Sequence, residues 1–176
     1  MQEKLPERKN IRLRDYDYSQ AGYYFITICI KDGRELLGNV IDRKVRLTKF
    51  GIVAEQNLIN IPLHAKDVII DKYVIMPNHV HMIIVLTDHE RTPCMASLQE
   101  KPSVGTRYVV PGKSKQTVSR IIQQYKASVS RDLAVSGLWQ PRFYDHIIRD
   151  KEKYQLIWQY IDENPQKWSE DCYFMP

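Results

Sequence analysis

The chain has 176 residues, of which 43% are hydrophobic and 27% charged, with a formal net charge of +5. This length fits one domain with a sizeable core, and the composition excludes a disordered chain. No apolar run approaches the ~20 residues that a membrane helix needs, and the amino terminus lacks the apolar core of a signal peptide. The three cysteines are too widely spread for a disulfide framework or a CxxC zinc site, so we expect a reducing, cytoplasmic setting without membrane contact.

Positive charge concentrates between residues 101 and 131, a stretch with seven basic residues and no acidic one. A stretch of one sign that runs into a helix is typical of a track for a phosphate backbone. A solvated loop and helix face would have the same composition, and the two interpretations carry equal weight. The candidate DNA contacts in this stretch are Lys113, Lys115, Arg120, Lys126 and Arg131.

Hydrophobic periodicity predicts eight elements in the order strand, hairpin, helix, strand, strand, helix, strand, helix. The first helix is expected over 48–61, with Thr48 as its N-cap and Pro62 as its stop. The last is expected to begin after an Asp150 cap and to pack through Tyr154, Ile157, Trp158 and Ile161. The other elements are predicted as strands over 22–31, 68–75, 79–86 and 143–149, a hairpin over 36–47 and a helix over 116–133.

Without the hairpin and the last helix, the order is βαββαβ. This is the ferredoxin-like α+β pattern, an antiparallel sheet with helices on one face. We expect a single domain over residues 1–176, with an irregular arm over 1–21. Residues 88–114 have no period and few apolar side chains, which predicts a long, mobile loop that is uncommon unless it carries function or disorder.

Two histidines stand one residue apart at the start of an apolar strand, directly after the turn Met76-Pro77-Asn78. Because strand side chains alternate between faces, His79 and His81 point the same way. Two imidazoles on one face supply most of a metal site that keeps positions open for substrate. The same spacing also occurs where both histidines are hydrogen-bonded core residues, and spacing alone favours that alternative.

The last predicted helix carries Tyr160 and Asn164, which lie on one side of it because they are four residues apart. Tyr160 falls beside the packing stripe, where its hydroxyl has room at the edge of a cleft. The alternative is an ordinary interfacial tyrosine, which is a strong alternative in a chain with 11 tyrosines.

Four blocks of sequence, in this order, resemble the REP-associated tyrosine transposases, a branch of the single-tyrosine HUH transposases. The resemblance covers about residues 10–168. The blocks are Asp17-Tyr18-Ser19 with Gly22-Tyr23-Tyr24-Phe25-Ile26-Thr27; Met76-Pro77-Asn78-His79-Val80-His81; Leu138-Trp139-Gln140-Pro141-Arg142-Phe143-Tyr144-Asp145-His146; and Tyr160-Ile161 with Asn164-Pro165.

This resemblance implies a metal-dependent transposase or nickase that acts on single-stranded, hairpin-forming repeat DNA. His79 and His81 would hold Mg²⁺ or Mn²⁺, with Asn164 as a third ligand. Tyr160 would attack a phosphodiester, which leaves a 5′-phosphotyrosine and a free 3′-hydroxyl for strand transfer. Relatives often have glutamine at the third ligand position, so the shorter Asn164 would bring the helix closer to the ion.

Some expectations stay open at this level. His146 and Asp145 are candidates for an extra ligand, a base or a DNA contact, while a structural anchor for the last strand is an equal alternative for the block from Trp139 to His146. The protein is expected to act as a monomer or a homodimer. One alternative function is a non-catalytic module that binds single strands through Tyr23, Phe25 and basic residues. Another is a hydrolytic metal-dependent phosphodiesterase in which water attacks and Tyr160 only packs.

Overall fold

A four-stranded antiparallel sheet with helices on both faces forms the centre of the computed structural model, which describes residues 16–65, 67–87 and 117–174. The predicted loop over 88–114, together with Lys113 and Lys115, lies outside the described residues. The elements are β1 (Gly22–Cys29), β2 (Gly38–Ile41), β3 (Lys44–Leu47), α1 (Lys49–Ile59), α2 (Ile61–His64), β4 (Val68–Ile75), β5 (His79–Leu86), α3 (Val118–Asp132), β6 (Tyr144–Ile148), α4 (Lys151–Glu163) and a 3-10 helix (Asn164–Glu170).

The strand order is β4-β5-β1-β6, and each neighbouring pair is antiparallel. Strands β2 and β3 form a separate hairpin. With β5 between β4 and β1, this is the ferredoxin-like arrangement, so the predicted α+β class is confirmed. Both faces of β1 and β5 are apolar because these strands lie in the middle of the sheet with helices over each face.

Alternate residues of the central strands divide the core into two layers. Ile26 and Met82 face α1 and α3, and they share one cluster with Leu58 and Ile121. The side chains on the other face of these strands form a second, smaller cluster with Tyr154 and Ile161 of α4. Helix α4 therefore covers the face of the sheet that also carries His79 and His81.

The start of α1 is fixed by Thr48, as predicted. Its hydroxyl accepts a hydrogen bond from the Gly51 amide at 3.3 Å and donates to the Leu36 carbonyl at 2.6 Å. The prediction that Pro62 stops this helix is wrong, because α1 ends at Ile59 and Pro62 lies in the first turn of α2. Proline is tolerated there since the first helical amides have no partner within the helix.

The packing stripe of α4 is narrower than predicted. Tyr154 and Ile161 are buried, but Trp158 is 39% exposed and holds the Lys72 ammonium 3.7 Å above its ring. This cation–π contact explains why a tryptophan is stable at the rim of the helix. Across the described ranges, no helix is long and apolar enough to cross a membrane.

Candidate active site

The two histidines lie side by side at the start of β5. Their ring centroids are 4.4 Å apart, and both rings are almost fully buried. The preceding turn is closed by a hydrogen bond from the Met76 amide to the His79 carbonyl at 2.8 Å. The structure therefore places both imidazoles on the face covered by α4, as the alternation of a strand requires.

The protonation of His79 is set by its neighbour Asn78. The Asn78 side-chain nitrogen donates to the carbonyls of Gly33 and Tyr173, at 3.2 and 2.7 Å, which turns its oxygen towards His79. That oxygen lies 2.9 Å from His79 Nδ1 and can only accept, so Nδ1 carries the proton. Nε2 is left with its lone pair free for a ligand.

His81 connects the sheet to the predicted nucleophile. Its Nδ1 lies 2.8 Å from the Thr27 hydroxyl on β1, and its Nε2 lies 3.2 Å from the Tyr160 hydroxyl on α4. The Thr27 hydroxyl can accept from Nδ1–H, which would leave Nε2 unprotonated, as in His79. The structure thus brings Tyr160 within hydrogen-bond distance of one histidine of the pair.

Asn164 directly follows α4 and is buried. Its side-chain nitrogen donates to Oδ2 of Asp171 at 2.8 Å, while its oxygen Oδ1 is buried and has no hydrogen-bond partner. Because the nitrogen is held by a carboxylate, the oxygen is the atom available to a cation. Tyr160 itself is 41% exposed, which leaves its hydroxyl accessible from the rim of the site.

Asp171 also lies at this site, although no pattern in the sequence indicated it. Ligand atoms of His79, His81 and Asp171 all lie within 4.8 Å of one another. Its Oδ2 also lies 3.4 Å from the Tyr160 hydroxyl, and its Oδ1 accepts from the Tyr173 amide at 2.7 Å. Asp171 follows the 3-10 helix in a short tail without hydrophobic period, so no spacing signal in the sequence connects it to the histidines.

The residues present fit a divalent cation. Within the described ranges, His79 Nε2 and Asn164 Oδ1 are buried and have no hydrogen-bond partner, and both lie at this site. Buried polar atoms are nearly always satisfied, so such a pair fits a position where a ligand binds. Imidazole nitrogens with a carboxylate and an amide oxygen suit Mn²⁺ or Mg²⁺ better than a thiol-seeking metal.

Burial controls the electrostatics of the site. It lowers the pKa of His79 to about 4, although the nearby Asp171 carboxylate opposes this shift. Burial, followed by the neighbouring His79, also lowers the pKa of His81. Burial and the Asp171 charge raise the pKa of the Tyr160 phenol. At neutral pH both histidines are therefore uncharged, as metal ligands must be, and the phenol keeps its proton.

The predicted DNA contacts do not all gather at this site. Arg120, Lys126 and Arg131 lie on α3, which packs on the opposite face of the sheet from the histidines. The Lys126 ammonium donates to the backbone carbonyls of Gln140 and Arg142, at 2.8 and 3.0 Å. These hydrogen bonds join α3 to the segment before β6 and so serve the fold.

His146 lies on β6 opposite Phe25 of β1, on the histidine side of the sheet. Tyr23 and Phe25, which the alternative binding module would present to bases, are instead buried in the second cluster beneath α4. That alternative therefore loses its proposed aromatic surface.

No family model matches the chain. An uncharacterised protein of Haemophilus influenzae is 38% identical over 171 residues, which cover 95% of this chain and 93% of that protein. The chain belongs to one family with it. A second Haemophilus influenzae protein, with the provisional name of a REP-associated tyrosine transposase, is 26% identical over 152 residues, covering 86% of this chain and 74% of its own.

A solved structure of a REP-associated tyrosine transposase, bound to a REP hairpin, superposes with a TM-score of 0.62. Its identity is 22%, and the match covers 89% of this chain and 73% of that one. At this identity the likeness establishes the fold. The resemblance to REP-associated tyrosine transposases, first carried by four sequence blocks, is confirmed in fold and in sequence relationship.

Proposed function

We propose that the protein is a metal-dependent single-stranded DNA transposase or nickase, with Tyr160 as its nucleophile. The observation that carries this proposal is the 3.2 Å separation between the Tyr160 hydroxyl and His81 Nε2, beside two unsatisfied buried ligand atoms. An interfacial tyrosine would not need a hydroxyl within reach of both a histidine nitrogen and the Asp171 carboxylate.

The proposed cation site uses Nε2 of His79 and His81, Oδ1 of Asn164 and the carboxylate of Asp171. When bound, Mg²⁺ or Mn²⁺ supplies Lewis-acid stabilisation of the charge that develops on phosphate oxygens. Asn78 and Thr27 hold the two imidazoles by their Nδ1 atoms, and Asp171 holds the Asn164 amide by its nitrogen. The ligand atoms are therefore oriented before the cation arrives.

In the proposed step, the Tyr160 oxygen forms a bond to phosphorus and the bond from phosphorus to the 3′-oxygen breaks. The products are a 5′-phosphotyrosine and a strand that ends in a 3′-hydroxyl. The phenol proton passes to Asp171 Oδ2, which lies 3.4 Å from the hydroxyl, and the departing 3′-oxygen takes up a proton from water and leaves as the 3′-hydroxyl. Attack of another 3′-hydroxyl on the phosphotyrosine would reverse the step and join the strands without ATP.

Hairpin-forming repeat DNA is the proposed substrate. The support is the solved transposase of the same fold, which is bound to a REP hairpin. We further propose that residues 1–176 act as one domain, as a monomer or homodimer, and that Lys113, Lys115, Arg120, Arg131 and His146 contribute to DNA binding.

The test is incubation with labelled hairpin oligonucleotides and Mn²⁺, followed by a denaturing gel that reveals a covalent protein–DNA adduct. We expect an adduct with the natural protein and none with Tyr160→Phe or His79→Ala. Tyr73→Phe is the matched control, because Tyr73 lies on the face covered by α1 and α3, away from the histidines, and its hydroxyl donates to Glu55.

Two outcomes would overturn the proposal. Cleavage without an adduct would support the hydrolytic alternative, in which water attacks. Binding that ignores chelation and Tyr160→Phe, with no cleavage across hairpins and metals, would support the non-catalytic module.

A further inference from the structure

Tyr144 is an exposed aromatic side chain in the same row of the sheet as the histidine site. It pairs with Thr27 across β1 and β6, and Thr27 pairs with His81 across β1 and β5. Directly opposed strand residues share a face, so the three side chains form a line from the site to the sheet edge. Tyr144 is 40% exposed at the end of that line.

A buried phenylalanine joins this ring to the nucleophile. The Phe25 ring lies 6.3 Å from the ring of Tyr144 and 6.1 Å from that of Tyr160, with edge-to-face geometry in both pairs. Phe25 thus supports both tyrosines from below while each remains about two-fifths exposed. Both tyrosine rings therefore lie next to the same buried ring, one on the edge strand and the other on α4.

The surroundings of Tyr144 suit a nucleic-acid strand. Strand β6 is at the edge of the sheet, so within the described ranges no strand lies beyond it. Arg142 and Arg149, both exposed, stand at either end of β6, where they can reach phosphates on a strand running along this edge. Trp158, an exposed aromatic side chain on α4, has its ring covered by Lys72.

We propose that Tyr144 is a stacking platform for the base next to the scissile phosphate of single-stranded DNA. This inference rests on the proposed function, since it places the substrate at Tyr160. An aromatic ring beside basic side chains accepts any base, because every base has a π-face. The platform would align the strand with the nucleophile without reading its sequence.

The test measures fluorescence anisotropy of a labelled single strand in a Tyr160→Phe background, so that binding is separated from cleavage. We expect Tyr144→Ala to weaken binding about tenfold or more, and Tyr144→Phe to stay close to the parent protein. Ile69→Ala is the control, because Ile69 is similarly exposed on the same face but on the opposite edge strand. With Tyr160 intact, Tyr144→Ala should raise KM far more than it lowers kcat.

The possible failures are distinguishable. If Tyr144→Ala weakens binding but the natural protein forms no adduct, stacking on Tyr144 is supported and cleavage by Tyr160 is contradicted. If the adduct forms and Tyr144→Ala binds like the parent, the platform is overturned. The platform would also be overturned if Tyr144→Phe weakened binding as much as Tyr144→Ala, because the phenylalanine ring should still stack on a base.

Discussion

Asn78 determines which nitrogen of His79 is free. Its two amide hydrogens go to backbone carbonyls, so its oxygen must face His79 Nδ1, which then carries the proton. The proline turn before β5 therefore positions the first strand histidine and also sets its tautomer. This makes Asn78 a positioning residue for the proposed cation.

Replacing Asn78 with alanine should weaken Mn²⁺ binding about 10- to 100-fold, since His79 loses the partner that fixes its ring. It should also cost about 1–3 kcal/mol of unfolding free energy, because two carbonyls lose their donor in a buried turn. Isothermal titration with Mn²⁺ and urea unfolding measure the two effects. Asn39→Ala, at an exposed position on β2, is the control. Unchanged Mn²⁺ affinity in Asn78→Ala would contradict the positioning role.

Asp171 should matter through both its charge and its bond to Asn164. Asp171→Ala removes both and should reduce Mn²⁺ affinity about 10- to 100-fold. Asp171→Asn keeps an oxygen for the Asn164 nitrogen but loses the charge. Its Mn²⁺ affinity should therefore lie between that of the natural protein and that of Asp171→Ala. Titration calorimetry again measures the affinity, with Asp162→Asn as a charge-matched control at an exposed residue that pairs with Lys72. If Asp171→Asn binds Mn²⁺ as tightly as the natural protein does, the Asp171 charge is not needed and Asp171 acts by positioning the Asn164 amide.

The sequence predicted the elements that carry a strong period. Strands β1 and β5, the helix starts at Thr48 and Asp150, and the ferredoxin-like order all follow from local patterns and caps. It failed at Pro62 and Trp158, where tertiary context decides. A proline fits either after a helix or in the first turn of a new one, and a tryptophan on a helix stripe can be covered by a lysine instead of the core.

The candidate site also combines residues that a local pattern predicts with one that it does not. Strand alternation predicted that His79 and His81 share a face, and helical spacing predicted that Tyr160 and Asn164 do. Asp171 could not be found in this way, because an irregular tail returns it to the site after the 3-10 helix. Nor could spacing show that α3 places its basic residues on the other face of the sheet from the histidines.

Lys126 gives a pH dependence whose sign can be worked out. Burial lowers its pKa from 10.5 to about 8. Between these values the unfolded chain binds more protons than the folded one, so this residue makes stability rise with pH. Below pH 8 the lysine is charged in both states, and the cost of partly burying that charge is fully present.

Comparison with Lys126→Met isolates the effect. The natural protein should gain unfolding free energy relative to the variant as pH increases from about 8 to 10, since methionine does not titrate. Urea unfolding at several pH values measures this difference. The comparison is made with Cys29→Ala in both proteins, because burial raises the pKa of Cys29 to about 11 and the Lys126 charge opposes that shift. A constant difference across the range would contradict the lowered pKa.

Helix α4 should be held to the sheet chiefly by Ile161, which is fully buried in the second cluster. Ile161→Ala should cost about 2–5 kcal/mol, as large-to-small changes in a core do. Leu156→Ala on the same helix is the matched control, because Leu156 is 60% exposed and should change stability by less than about 0.5 kcal/mol. Urea unfolding measures both variants.

Since Tyr160 precedes Ile161, loosening the Ile161 contact should also reduce the rate of adduct formation at urea concentrations below the unfolding transition. A folded Ile161→Ala protein with an unchanged rate would mean that the 3-10 helix and Asp171, without the core contact, suffice to hold the nucleophile in place.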